Sequence, residues 1–308
     1  MNLNEFLELL QHPKAIPKDL ELTNLVIKDL NLSKGSLANW TFRECDFVDC
    51  SFDDCEMPMG RFEACHLSNC NFSDCDLSDT HWNQCAIDKS VLQNTTLKRS
   101  EWLETQLHKV QLDSVDFSNS NLTSTKFESI KGINLIFDEI SFYECLFSQS
   151  EFESCQGKAS SWVSCEMPAI KLVHSNLENA RFLGNCNLTD AQLTDNNLND
   201  ASFLEATLTS ADLSECELEN ANFCDADLNH ATLNRISAPR SVWTKSNLNG
   251  ADLYGSNLMN TLLISARLTG TDFSATNLYG ADFYQAILGD NSFFRANLNQ
   301  TILADWQP

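Results

Sequence analysis

The hydrophobic residues of this chain recur at every fifth position along almost its whole length. This five-residue period starts at Leu22 and continues to Phe182. After a one-residue slip within residues 183–187, it resumes at Leu188 and continues to Leu303. A helix repeats every 3.6 residues and a strand every two, so neither could keep these positions on one face. A period that covers the chain decides the architecture before any local element does. We therefore expect a coil that turns a corner every five residues.

A second slot, two residues before each large one, holds a small or medium side chain. Alanine fills it at Ala201, Ala206 and Ala211, and twelve of the thirteen cysteines share it, Cys224 being the exception. A compact, weakly polar thiol suits such an interior position. The chain has no C-x-x-C pair and an odd number of cysteines, which argues against a zinc site and against a disulfide framework. We predict buried, free, slowly reacting thiols and a reducing, cytoplasmic compartment.

Many of the five-residue units follow the pattern A-[DN]-L-x-x. Clear examples are ADLSE at 211–215, ANFCD at 221–225, ADLYG at 251–255 and ADFYQ at 281–285. This pattern closely resembles that of the pentapeptide-repeat family. The resemblance implies an all-β fold, a right-handed quadrilateral β-helix with four pentapeptides per coil and about 14 coils, with the large and the small residue pointing inward. At a strand spacing of about 4.8 Å, the predicted rod is on the order of 68 Å long. We expect a single solenoid over residues 20–305.

The N-terminal residues break the period and predict a short capping helix. Residues Asn4 to Gln11 place several leucines and Phe6 on one side, Asn4 is a candidate N-cap, and Pro13 lies just beyond the expected end. The terminal coil of a solenoid exposes interior side chains, which such a helix would cover. We interpret residues 1–19 as an N-terminal helical cap.

Three glycines interrupt the regular packing pattern. Gly132 and Gly157 occupy slots that elsewhere hold large residues, and Gly184 lies at the frame slip. A glycine inside a strand often marks a bulge or a bend. We expect a bulge or a local bend at each of these places, and we expect the first gap to be refilled by Ile133, Leu135 and Ile136.

The chain is strongly acidic, with 43 acidic and 20 basic residues and a net charge of −23. Such a charge disfavours direct contact with nucleic acid or with anionic membranes. Residues 41–80 carry only two basic residues and ten acids: Glu44, Asp46, Asp49, Asp53, Asp54, Glu56, Glu63, Asp74, Asp76 and Asp79. Duplex DNA carries about one charge per 1.7 Å, and two coils spanning roughly 10 Å with this composition reach that density. Acidic loops also keep an edge-rich β-protein soluble, which is the simpler interpretation.

Candidate catalytic groups were sought among the histidines, carboxylates and glycine-rich segments. The six histidines are scattered along the chain, and neither G-x-S-x-G nor a phosphate-binding glycine loop occurs. Acids at intervals of 20 residues stack on neighbouring coils, so their pairing does not indicate acid–base chemistry. We predict that the protein is not an enzyme and has no cofactor, metal or catalytic residue.

Function must then come from the surface, through binding of another protein. Within the family the nearest functional analogy is the Qnr type, which binds type II topoisomerases and protects them from inhibitors. The resemblance implies DNA gyrase or topoisomerase IV as a partner that an acidic DNA mimic could bind. Qnr-type proteins also have projecting loops and usually a dimerising helix. The repeat pattern of this chain indicates neither feature, since its one insertion is a single residue within 183–187. The alternative is a generic interaction scaffold or a bacterial effector that docks another protein.

The last coils differ from the rest because apolar residues occupy outward slots there. The chain's last residues offer little for a helical lid, and we expect something else to cover that end. An apolar patch beside an uncapped β-helix end is typical of an interface, although such side chains could merely cover the corners. We predict a homodimer through the C-terminal coils, with a candidate interface formed by Tyr254, Met259, Leu262, Ile264, Tyr279, Tyr284 and Ile302.

Overall fold

In the computed structural model, which describes residues 2–10, 17 and 19–305, the five-residue period forms coils of parallel β-structure. Each inward residue lies beside the residue 20 positions later, as Leu22 does beside Phe42 and Ile27 beside Phe47. Four pentapeptides therefore complete one coil. The fold is the right-handed quadrilateral β-helix that the sequence predicted, preceded by a short helix.

The helix α1 spans Leu3–Leu10, and the strands are three residues long. In chain order they are β1 Glu21–Thr23, β2 Val26–Lys28, β3 Thr41–Arg43, β4 Asp46–Val48, β5 Arg61–Glu63, β6 His66–Ser68, β7 His81–Asn83, β8 Ala86–Asp88, β9 Val91–Gln93, β10 Glu101–Leu103, β11 Gln106–His108, β12 Gln111–Asp113, β13 Asn121–Thr123, β14 Lys126–Glu128, β15 Lys131–Ile133, β16 Ser141–Tyr143, β17 Leu146–Ser148, β18 Glu151–Glu153, β19 Ser161–Val163, β20 Lys171–Val173 and β21 Arg181–Leu183. Elsewhere single bridges continue the ladders, for example between Asn187 and Thr207.

The described residues fall into two compact units, Met1–Phe152 and Glu153–Pro308. In the first unit one side of the coil is the sheet β1-β3-β5-β7-β10-β13-β16, the next is β2-β4-β6-β8-β11-β14-β17, and the third contains β9, β12 and β15. The fourth side is held by single bridges such as Glu56 with Asp76. That residues 20–305 form a single domain stays a prediction.

In the second unit the frame slip is absorbed inside one turn. Pairing partners are 21 residues apart from Glu166 with Asn187 to Arg181 with Ser202, and the interval returns to 20 at Asn187 with Thr207. The additional residue lies in the turn after β21, where Gly184 and Asn185 both have positive φ, 66° and 60°. Because glycine enters that region without a Cβ penalty, the turn lengthens while the following interior slot, Cys186, remains buried.

Almost every pentapeptide ends in a residue with positive φ. In the residues other than glycine the angle lies between 48° and 63°, as in Lys89 and Asn39. This left-handed region is least strained for Gly, Asn and Asp and most strained for β-branched side chains. Accordingly, none of the described residues with positive φ is Val, Ile or Thr. The corner geometry thus restricts the fifth residue of each repeat as firmly as burial restricts the first and third.

Stacked aromatic side chains fill much of the interior. In the first unit Trp82 lies parallel to Phe62 at 4.0 Å and to Trp102 at 4.9 Å between ring centroids. In the second unit a similar column is formed by Phe182, Phe203, Phe223 and Trp243, with centroid distances of 4.8, 4.8 and 4.0 Å. Parallel in-register coils place identical slots directly above one another, so each ring buries its faces against the next coil.

The predicted bulges at Gly132 and Gly157 are wrong. Gly132 lies within the regular strand β15 and pairs in register with Leu112, and the backbone N–H of Gly157 donates to Asn176 at 2.8 Å in an ordinary turn. A Cβ on Gly132 would meet Phe152 at 2.6 Å and Leu135 at 2.7 Å, so neighbouring side chains already fill the gap. Ile133 does not move inward, since it remains 48% exposed.

The N-terminal helix is present, but its boundary differs from the prediction. Asn2, not Asn4, is the N-cap: its Oδ1 accepts the Glu5 backbone N–H at 2.9 Å, and Glu5 Oε2 accepts the Asn2 N–H at 2.9 Å. This reciprocal pair is a capping box. Phe6 is the fully buried residue of the helix and packs edge-on against Trp40, whereas Leu7 is 37% exposed. Gln11 and Pro13 lie outside the described residues.

The small slot explains the cysteines. All thirteen are free, and twelve are buried, as predicted. The Cys55 thiol donates to the Leu32 carbonyl of the preceding coil at 2.8 Å, and the Thr271 hydroxyl donates to the Leu248 carbonyl at 2.8 Å in the same way. Cys, Ser and Thr share this slot because each is compact and carries one donor for a carbonyl that faces the interior.

In a thiol titration of the native protein, Cys224 is expected to react fastest, because a reagent can reach it without opening the fold. It is the one described cysteine that is not buried. Burial raises the pKa of the Cys55 thiol to about 11 and that of Cys75 to about 12, so these thiols stay protonated near neutral pH. A Cys224→Ser variant is the control and should lose the fast phase. Several fast-reacting thiols in the folded protein would contradict this expectation.

Candidate functional site

The ten acids predicted to form a binding surface all point outward, but they surround the coil rather than sharing one side. Glu44, Asp46 and Asp49 lie along the side built by β4 and the corner before it. Glu63 lies in β5, on the preceding side. The remaining six lie on the third and fourth sides, so any partner that contacts one flat side could touch only some of them.

Two of the ten acids are neutralised within the chain. Arg43 bridges Glu21 and Glu63 at 3.0 and 3.1 Å. Arg99 forms a two-pronged hydrogen bond with Asp79, at 2.8 and 2.7 Å, and its guanidinium lowers the pKa of that carboxyl group. Glu63 and Asp79 are therefore poor candidates for contacts with a basic partner.

Five of the acids form a compact group, which we name the acidic edge. Its members belong to two successive coils at the junction of the third and fourth sides: Asp53, Asp54, Glu56, Asp74 and Asp76. Glu56 and Asp76 are bridge partners, and Asp54 lies one coil before Asp74, about 4.8 Å away on the strand spacing. None of the five has an ion-pair partner among the described residues.

The local backbone fixes this edge. Asp54 and Asp74 occupy the left-handed corner position, with φ of 56° each, which aspartate tolerates well. Asp76 Oδ1 accepts the Ser78 backbone N–H at 3.0 Å, and Asn94 Nδ2 donates to Asp74 Oδ1 at 3.1 Å. These bonds hold two of the five carboxylates, those of Asp74 and Asp76, in place without neutralising their charge.

Residues 201–240 of the second unit also carry more acids than bases, seven against two. Both bases form ion pairs: Arg235 binds Glu215, with Nε at 3.0 Å from Oε1, and Arg240 pairs with Glu219. Each arginine thus bridges adjacent coils. Net charge alone did not indicate that both arginines of this segment pair with its own acids.

The seven residues of the candidate dimer interface occupy three sides of the second unit. Leu262, Ile264, Tyr284 and Ile302 share the side that starts at β21, and Tyr284 is 60% exposed there. Met259 and Tyr279 stack on the side that precedes it along the chain. Tyr254 lies on the side before that one, which also carries Phe294. The structure thus brings four of the seven together and separates Tyr254 from them.

Three histidines each pair with a carboxylate on an adjacent coil. The nitrogen–oxygen distances are 3.2 Å for His81 with Glu101, 2.6 Å for His108 with Asp88 and 3.7 Å for His174 with Asp195. All three imidazoles are at least a third exposed, so solvent screens these pairs. The signal that could have identified them is an acid 20 or 21 residues from a histidine.

One groove, about 480 Å³ in volume, is lined by side chains of β5, β7, β10 and β13, including Arg61, Glu63, His81 and Glu101. It is a shallow depression between outward side chains and not an enclosed pocket. Within the described ranges, no group of three or more His, Cys, Asp or Glu residues is arranged to hold a metal ion. In the same part of the chain, no helix has the length and apolarity needed to cross a membrane.

Family models match both halves of the chain. The pentapeptide repeat region model matches residues 25–102 and 60–131, and the model of eight pentapeptide repeats matches residues 186–223, 226–263 and 258–290. The chain belongs to the pentapeptide-repeat family. No curated protein matches its sequence. As a pentapeptide-repeat protein, it uses the first and third positions of each unit for its interior and leaves the other three for its surface.

Solved structures with a similar fold include other pentapeptide-repeat proteins. HetL, involved in heterocyst differentiation regulation in the cyanobacterium Nostoc sp. strain PCC 7120, is 15% identical, with 100% of this chain and 99% of HetL covered and a TM-score of 0.23. A trypsin-treated form of QnrB1, a plasmid-mediated fluoroquinolone resistance protein, is 14% identical, with 77% and 91% covered and a TM-score of 0.30. Likenesses at this level say nothing about what this chain binds.

Proposed function

We propose that this pentapeptide-repeat protein is a non-enzymatic binding protein whose acidic surface mimics DNA. The acidic edge is the observation that carries the proposal, because its five carboxylates lie within two successive coils and have no ion-pair partner among the described residues. Two coils span roughly 10 Å, a length over which duplex DNA carries about six phosphate charges. Five charges along one edge approach that density.

The partner that this chemistry fits is a protein whose own ligand is DNA. Its basic DNA-binding surface would be attracted over several ångströms and would then pair its Lys and Arg side chains with the edge. Qnr-type members of the family are the nearest functional analogy, so the specific partner we propose is a type II topoisomerase, DNA gyrase or topoisomerase IV. Occupying that surface would protect the enzyme from inhibitors that act on its DNA-bound form.

The direct test is a supercoiling assay with gyrase that a quinolone has inhibited. Purified protein added in excess is expected to restore supercoiling, and bovine serum albumin at the same concentration is not. If supercoiling stays inhibited and no complex with either topoisomerase forms, the topoisomerase proposal fails. Binding of some other basic protein would then favour the scaffold interpretation.

We further propose that the protein forms a homodimer through its C-terminal coils. The support is the group of exposed apolar side chains there, with Tyr279 at 41% and Tyr284 at 60% exposure. We expect a two-chain mass by light scattering, falling to one chain when both tyrosines become Asp. Circular dichroism should be unchanged, because both side chains point away from the interior. A single-chain mass for the unmodified protein up to high micromolar concentration would exclude the dimer.

A further inference from the structure

One side of the second unit is unusually apolar, and we name it the apolar side. It consists of six stacked segments, 181–185, 202–205, 222–225, 242–245, 262–265 and 282–285, joined by parallel bridges from Arg181 to Asp282. One outward column reads Leu183, Leu204, Cys224, Thr244, Ile264 and Tyr284. Leu204 and Leu262 are 36% and 38% exposed, so this side presents aliphatic groups to solvent on more than one coil.

The charged residues of the apolar side are also unusual. Five occur on it: Arg181, Glu205, Asp225, Lys245 and Asp282. None has an ion-pair partner among the described residues. By contrast, Arg235 and Arg240, both exposed and in the same unit, pair with acids on the adjacent coil. Two bases and three acids are thus left unpaired around an apolar strip.

The charges of the apolar side are complementary to those of a second copy that is related to the first by a two-fold axis. Let the axis run parallel to the strands, between the segments 222–225 and 242–245, in the plane where two copies of this side meet. The rotation reverses the order of the coils but keeps each position along a strand opposite the same position of the second copy. The first segment then faces the sixth, the second faces the fifth, and the third faces the fourth.

In this arrangement opposite charges meet twice on each half of the interface. Arg181 faces Asp282 of the second copy, and Asp225 faces Lys245 of the second copy. Glu205 faces the uncharged Ser265 of the second copy. No pair of like charges is created, although three of the five charged residues are acids. The charge pattern is therefore self-complementary about this axis.

The apolar positions meet under the same rotation. Leu204 faces Ile264 of the second copy, Leu183 faces Tyr284, and Cys224 faces Thr244. Cys224 and Thr244 thus lie nearest the axis, the aliphatic and aromatic pairs lie on either side of them in the same column, and the ion pairs lie at the flanking strand positions. The same register satisfies both the apolar and the charged positions.

We propose that the apolar side is a docking surface for a second copy of this chain, packed side against side with antiparallel coils. This deepens the homodimer proposed above by replacing contact of the C-terminal ends with contact along one side. Six coils at about 4.8 Å and a side about 13 Å wide give on the order of 800 Å² for both copies together, below a standard interface. We expect a weak dimer with a dissociation constant in the micromolar range.

The test is a charge exchange followed by sedimentation over a range of concentrations. Lys245→Glu alone and Asp225→Lys alone each place like charges opposite one another and should weaken dimerisation at least tenfold. The double variant Asp225→Lys with Lys245→Glu restores two opposite-charge pairs across the axis and should recover the dissociation constant of the unmodified protein. Arg267→Glu, an exposed charge on the neighbouring side of the same coils, is the matched control and should have no effect.

A second exchange checks the register independently. Arg181→Asp should weaken the dimer, and Arg181→Asp with Asp282→Arg should restore it. A dimer that ignores every single exchange would overturn the docking surface and leave the C-terminal ends as the contact. Failure of both double variants to recover, with circular dichroism unchanged, would overturn the proposed axis. A monomer at all concentrations would overturn this proposal and the homodimer together.

Discussion

Replacing Trp82 with alanine is expected to lower the free energy of unfolding of the first unit by about 3 to 5 kcal/mol. The indole is 1% exposed and lies between Phe62 and Trp102, with nearly parallel rings on both faces. Its Nε1–H also donates to the Thr80 hydroxyl at 3.0 Å. The substitution therefore opens a cavity between three coils and removes the hydrogen bond that the Thr80 hydroxyl accepts.

The stacking geometry makes this cavity difficult to close. Neighbouring coils are tied by backbone hydrogen bonds above and below the site, such as His81 N–H to Gly60 and Glu101 N–H to Thr80, each at 2.9 Å. The two coils on either side of the cavity cannot approach each other without breaking these backbone hydrogen bonds. Chemical denaturation followed by circular dichroism measures the change. The control is Leu103→Ala, whose side chain points outward from the next coil and is 44% exposed, with an expected change below about 0.5 kcal/mol. Similar losses for both variants would contradict this account.

The architecture was predictable from the sequence because one geometric rule is repeated along the chain. Burial of the first and third residues of every unit appears directly as the five-residue period, and the slip between Phe182 and Leu188 appears as one extra residue. The cysteines were also predictable, since Cys45 and Ala201 occupy equivalent slots, and both are buried. These inferences depend on side-chain size alone, which follows directly from the identity of each residue.

Inferences that depend on neighbouring side chains were less successful. Gly132 suggested a bulge because the sequence does not reveal that Phe152, one coil later, leans over it. For the N-cap, the deciding contact is the reciprocal pair of hydrogen bonds between Asn2 and Glu5, whose Asn-x-x-Glu spacing is visible in the sequence. In both cases a contact between particular side chains decides the local structure.

The candidate surfaces needed the structure for a related reason. Counting acids in residues 41–80 cannot reveal that Arg43 and Arg99 remove Glu63 and Asp79 from the available charge. A spacing of 20 residues does indicate which side chains stack, and on that basis the acidic edge could have been found. The choice of partner for each charge, however, depends on side-chain reach and not on the period.

Neutralising the acidic edge is expected to weaken binding to a DNA-binding partner by about 100-fold or more, since five exposed charge pairs each contribute roughly 0.5 to 1 kcal/mol. The variant changes Asp53, Asp54, Asp74 and Asp76 to Asn and Glu56 to Gln. The fold should persist, because an amide oxygen can still accept the Ser78 N–H that Asp76 accepts now. Binding of gyrase, measured by surface plasmon resonance between 50 and 300 mM salt, should also lose most of its salt dependence, because fewer ions are released on contact.

The matched control removes the same number of charges from scattered positions of the first unit. It changes Glu104, Glu128, Glu139 and Glu144 to Gln and Asp113 to Asn, five acids without an ion-pair partner among the described residues. If long-range attraction by net charge were the whole effect, both variants would weaken binding equally. If the edge is a docking site, the control retains most of the affinity, because its five acids are spread over several sides of the coil and the carboxylates of the edge stay unchanged. Full affinity in the edge variant, with the unmodified salt dependence, would show that the partner binds another part of the surface.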